Sequence, residues 1–108
     1  MARSEHLPIY KKSYDLCLYL EQVVRNFSRY HKYSIGEDLR NTARRMLGLV
    51  VRANGRREKE AALLEIREQV EELKVLLRLC HDSKAFSNFN SFEHAIGLVT
   101  ESARQNGG

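Results

Sequence analysis

The 108-residue sequence has no tryptophan, one proline and two cysteines. With Pro8 at one extremity, nothing in the remaining chain forces a helix to break at a proline. Cys17 and Cys80 are too few for a disulfide framework, and each stands among leucines, where a free thiol serves as a small buried hydrophobe. No apolar run approaches the roughly 20 residues that would cross a bilayer. Met1 to Tyr10 lacks the apolar stretch of a secretory leader. No membrane partner is therefore expected, and the cytoplasm is the expected compartment.

Catalytic patterns are missing as well. The chain has no Glu-x-x-His, no His-Glu-x-x-His and no Cys-x-x-Cys. No glycine-rich run stands at a helix start, Gly55 being alone ahead of the third, so no phosphate loop exists. His6, His31 and His94 have no partner spacing, and the adjacent His81-Asp82 reads as a helix end. The expectation is a protein that is not an enzyme, with no metal and no cofactor.

What remains is 43% hydrophobic and 30% charged, a globular balance. Helical periodicity dominates it. Ile9, Leu16, Leu20, Val23, Phe27 and Tyr30 predict a first helix over about residues 8–30, with Pro8 in its first turn. Ser34 and Glu37 form a capping-box pattern ahead of Ile35, Leu39, Ala43, Met46, Val50 and Ala53, so a second helix is expected over about 35–54, stopped by Asn54-Gly55. Leu63, Ile66, Val70, Leu73, Leu77 and Cys80 form a heptad-like seam in a third helix, about 57–81. Val75, Leu76 and Leu79 widen that seam, and a helix apolar on more than one side must bury more than one side. Ser91 is the expected cap of a fourth helix, about 91–105, striped by Phe92, Ile96, Val99 and Ala103. Short connections between four amphipathic helices predict an all-α fold, one antiparallel up-down four-helix bundle over residues 1–108.

The formal net charge of +4 is unevenly spread. Residues 8–33 carry five Lys/Arg against two acids, residues 34–57 six Arg against two acids, and residues 58–82 four basic against seven acidic side chains. Arg45, Arg52 and Arg56 share one helix face at spacings of seven and four, while Arg40 and Arg44 form a second ridge. Every cation of that segment is Arg, which grips phosphate bidentately and stacks on bases. Arg29, Tyr30, His31, Lys32 and Tyr33 mix cations with rings, a combination suited to RNA. The competing reading is that these arginines pair with the acidic third helix, within the chain or on another subunit.

Particular strings then matter. Tyr33-Ser34-Ile35-Gly36-Glu37-Asp38-Leu39-Arg40 opens the second helix and Ala53-Asn54 closes it. Leu73-Lys74-Val75-Leu76-Leu77-Arg78-Leu79-Cys80 runs through the third, and Phe86 to Glu93 leads into the fourth. In that order the chain, from about residue 10 to 108, resembles the accessory variability determinant (Avd) family of diversity-generating retroelements, within a wider group of four-helix-bundle proteins that includes products of ribosomal RNA intervening sequences. The family often has Pro in the connection before the second helix, where this chain has Ser28 and Tyr30.

The resemblance implies a prokaryotic or phage-encoded accessory protein without chemistry of its own. It implies a cyclic homo-oligomer, a pentamer, that associates with a reverse transcriptase and a structured template RNA, or DNA, in mutagenic copying. The residues expected to contact nucleic acid are Arg29, Lys32, Arg40, Arg44, Arg45, Arg52, Arg56 and Arg57, and those expected at the subunit interface are Leu73, Leu76, Leu77 and Leu79. The alternative is a structural homo-oligomer with no nucleic-acid partner.

Overall fold

The computed structural model describes residues 8–53 and 59–105. Among the described residues, apolar positions three and four apart build four long helices and one short helical turn. The helices are α1 (Pro8–Arg25), α2 (Arg29–Lys32), α3 (Ile35–Ala53), α4 (Lys59–Asp82) and α5 (Phe89–Gln105), with no strand among the described residues. The expected Asn54-Gly55 stop lies outside the described residues.

Each long helix packs against two neighbours, in the order α1, α3, α4, α5 around the bundle. Pairings across α1 run down α5 as they run up α1: Lys12 meets Glu101, and the Tyr19 hydroxyl donates to the Ser91 carbonyl at 3.2 Å. That is the antiparallel arrangement expected of short connections. Leu16, Leu20, Leu39, Met46, Ile66, Leu73, Leu77 and Val99 fill the shared core. Burying each such side chain contributes about 1.5–3 kcal/mol before the entropy of ordering is counted.

The first helix ends earlier than its periodicity predicts. Asn26 and Phe27 donate to carbonyls three residues back, at 3.0 Å each, which tightens and closes α1. Phe27 turns into the core, its ring edge-on to Phe86 at 5.4 Å. The chain then makes the four-residue α2 and reverses into α3. α1 and α3, at 18 and 19 residues, are both about 27–29 Å long. A helix continued to Tyr30 would overrun α3 by about one turn. Tyr30, expected on the buried stripe, is instead 80% exposed.

Caps also differ in chemistry from the sequence expectation. Ser34 stands before α3, but its hydroxyl donates to the Tyr30 carbonyl at 2.6 Å, tying α3 to α2 in place of a reciprocal bond with Glu37. Asn88, not Ser91, caps α5: its side-chain oxygen accepts the Ser91 N–H at 2.8 Å. At the end of α4, Ala85 N–H reaches the Cys80 carbonyl at 2.8 Å and Lys84 N–H the His81 carbonyl at 3.0 Å. This is a Schellman closure with Lys84, at φ 66°, in the left-handed position usually held by Gly.

The α4 seam is Ala62, Ile66, Val70, Leu73, Leu77 and Cys80, with Ala62 taking the core place expected of Leu63. Both cysteines are free. Burial pushes the Cys80 thiol up to about 12 and the Cys17 thiol up to about 11, so both stay protonated and inert near neutral pH.

Candidate nucleic-acid interface

The cationic residues picked out by sequence fall into three groups. Arg40 and Arg44, four apart on α3, face α1, where Glu21 pairs with both: with Arg44 directly and with Arg40 at 3.7 Å. Their charge is answered within the chain, by an acid on the basic first helix and not by the acidic α4. Glu21 carried no signal in the sequence, because which α1 side chain lies opposite Arg44 depends on helix packing. Arg40 is half-buried and its Nε has no partner, which marks it as a residue of the α1–α3 seam.

Arg45 and Arg52 lie on the other flank of α3, both exposed. Arg45 donates to the Thr42 hydroxyl at 3.1 Å, which steadies its guanidinium without neutralising it. Arg52 extends back along its own helix across Gly48: a Cβ there would stand 3.3 Å from its guanidinium. Among the described residues neither arginine pairs with a carboxylate. Seven residues separate them, so they stand roughly 10 Å apart on one ridge. Asp38, one further step of seven back along this ridge, is the acid that bounds it. Arg56 and Arg57 lie outside the described residues.

Arg29 and Lys32 sit on α2, at the far end of the bundle from Arg52. Arg29 is exposed and Lys32 half-buried. Arg52 lies 17 residues into α3, about 25 Å along its axis from α2. The six of these residues that the structure describes therefore do not form one patch.

The four leucines expected at a subunit interface divide as well. Leu73 and Leu77 are fully buried in the core of the chain itself and have no surface to offer another chain. This corrects that part of the expectation: the seam they belong to is the intramolecular one. Leu76 is half-buried against the core, and Leu79 is 51% exposed. Val75, 67% exposed, joins Leu79 in a shallow groove bounded by Glu71, Lys74, Arg78 and Asp82. The outer face of α4 is thus apolar along its centre and mixed in charge at its margins.

His81 and Asp82 do not act together. Asp82 faces Arg78 at 3.9 Å, and the His81 ring stacks on Phe92 with centroids 4.4 Å apart. Among the described residues no three His, Cys, Asp or Glu side chains gather as a metal site would require, and no helix is long and apolar enough to cross a membrane.

These features define an all-helical bundle whose distinguishing side chains lie on its outer faces and at its ends. The chain belongs to the bAvd-like family, whose family model matches residues 7–108, in keeping with the accessory-variability-determinant resemblance. No curated protein and no solved structure matches the chain.

Proposed function

We propose that this chain is the non-catalytic accessory protein of a diversity-generating retroelement, holding the element's reverse transcriptase and its structured template RNA together during mutagenic copying. The observation that carries the reading is family membership over residues 7–108. The surface supports it. Arg45 and Arg52 present two unneutralised guanidinium groups on one ridge, suited to backbone phosphates. Contacts of that kind position RNA without reading its sequence, so binding is salt-dependent and weakly selective. Arg29 and Lys32 add cations at the α2 end. Arg40 and Arg44, held by Glu21, contribute less. The outer face of α4, with Val75 and Leu79 exposed, is suited to a protein partner: neighbouring subunits of a ring, a pentamer in this reading.

Affinity purification of the tagged protein from its native cells, with and without nuclease, tests the proposal. Recovery of a reverse transcriptase with one discrete RNA supports it, and loss of the polymerase from the nuclease-treated sample would show that RNA bridges the two. Recovery of the chain alone as an RNA-free oligomer rejects it.

A second reading, a structural homo-oligomer without nucleic acid, draws on the acidic outer face of α4, where Glu68, Glu71 and Glu72 are exposed. There Arg45 and Arg52 of one subunit dock on α4 of the next. Charge reversal at these arginines separates the two readings: it lowers oligomer mass in the second and RNA affinity in the first.

A further inference from the structure

Two tyrosines are spent on the surface where the core ends. Tyr30 is 80% and Tyr33 65% exposed, on and just after the short α2. The ring contact recorded for Tyr30 is an edge-on one to its neighbour His31, at 5.1 Å. Tyr33 caps the turn three residues after Tyr30, a spacing that in a helix sets Cβ atoms roughly 5–6 Å apart.

Their backbone is fixed. Lys32 N–H donates to the Ser28 carbonyl at 2.8 Å, and the Ser34 hydroxyl closes on the Tyr30 carbonyl. The turn is also pressed against α3, since a Cβ on Gly36 would stand 2.8 Å from the His31 carbonyl oxygen. Along the chain Arg25, Arg29 and Lys32 lie between Glu21 and Glu37 with no acid among them. Glu37 and Asp38, exposed in the first turn of α3, bound this region on one side. The Phe27–Phe86 contact joins the α1–α2 connection to the α4–α5 connection, which brings exposed Phe89 and Lys84 to the same end of the bundle.

Exposed rings on a hydrogen-bonded turn among cations are the elements of a stacking platform for single-stranded nucleic acid. We infer that the α2 end binds unpaired nucleotides of RNA, with Tyr30 and Tyr33 stacking on bases and Arg29 and Lys32 holding the adjoining phosphates. The inference rests on the proposal that the chain's partner is RNA. It divides the labour: the Arg45–Arg52 ridge meets backbone whether paired or not, and the α2 end selects nucleotides free to unstack.

Fluorescence anisotropy with a labelled oligouridylate of about 20 nucleotides and a blunt RNA duplex of the same length tests it. Tyr30→Ala/Tyr33→Ala should lose about tenfold or more in affinity for the single strand and less than about twofold for the duplex, with the salt slope unchanged. Tyr30→Phe/Tyr33→Phe should retain single-strand binding, because the ring and not the hydroxyl does the stacking. Both rings are exposed, so the substitutions should leave the helical spectrum and melting temperature as they are. Unchanged single-strand binding, or equal losses on both probes, overturns the platform while leaving the RNA reading intact. Wild-type protein that binds neither probe overturns both. Intact RNA binding together with loss of reverse-transcriptase capture would reassign these rings to a protein surface and overturn the inference.

Discussion

Glu21 on α1 pairs with Arg44 on α3, and the same carboxylate lies 3.7 Å from Arg40. One acid thus withdraws a whole arginine ridge from the surface charge. Glu21→Gln should release both guanidinium groups. The expected result is tighter RNA binding and a salt slope steeper by about one, at a stability cost below about 1 kcal/mol, since partly exposed pairs contribute little. Binding isotherms across a salt series check the first, and urea denaturation the second. Unchanged affinity and slope would mean that Arg40 and Arg44 lie away from the RNA even when free.

Gly36 and Gly97 should respond to alanine in opposite directions. A Cβ at Gly36 would meet both the His31 carbonyl oxygen and a Val24 methyl at 2.8 Å. Backbone cannot swing aside, so Gly36→Ala should destabilise by about 1–3 kcal/mol. A Cβ at Gly97 meets nothing within 4 Å in the middle of α5. There Gly97→Ala should stabilise by about 0.5–1 kcal/mol through helix propensity alone. Urea midpoints moving in the same direction would contradict the packing described for α2 against α3.

Lys84 holds a left-handed conformation that costs an L-residue about 1–2 kcal/mol, offset in part by the greater chain entropy glycine loses on folding. Lys84→Gly should therefore raise stability by about 0.5–1 kcal/mol, seen as a higher melting temperature. A fall would indicate that the Lys84 side chain makes a contribution beyond the cap.

The Lys12–Glu101 pair at 2.7 Å gives the α1–α5 seam a pH dependence. The hydrogen bond from Lys12, and then its charge, hold the Glu101 carboxyl below the usual range. A depressed carboxyl contributes stability above its unfolded pKa and loses it as pH falls through the folded one. The hydrogen bond to Glu101 likewise raises Lys12, whose contribution is lost only as pH rises through its folded pKa, above the ordinary lysine range. Melting temperatures taken from about pH 6 down to about pH 3 should fall more steeply for the wild type than for Glu101→Gln. Both groups are solvent-exposed, so the difference should shrink in high salt. Parallel curves would remove this pair from the account.

The sequence made the long helices legible because their apolar spacing is a local property. It named Leu16, Leu39, Ile66, Val70 and Val99 as core positions, and all are buried. What it could not carry was where one helix meets another. Tyr30 continues the apolar stripe of α1, yet the chain has turned before reaching it. Leu73 and Leu79 belong to one apolar run, but only packing against α3 and α5 decides that Leu73 points inward and Leu79 outward. The same holds for the arginines: spacing separated Arg40 and Arg44 from Arg45 and Arg52, while Glu21, which pairs with the first two, lies 23 residues from Arg44.

The central claim is that the Arg45–Arg52 ridge meets RNA phosphates, and the salt dependence of binding tests it most directly. Affinity of the wild type and of Arg45→Glu/Arg52→Glu for a structured RNA would be measured from about 50 to about 200 mM salt, with oligomer mass followed by light scattering. The account predicts at least about tenfold weaker binding at low salt, a slope shallower by about two, and unchanged mass. Unchanged affinity and slope with a smaller oligomer would contradict it, and would make these arginines contacts between subunits.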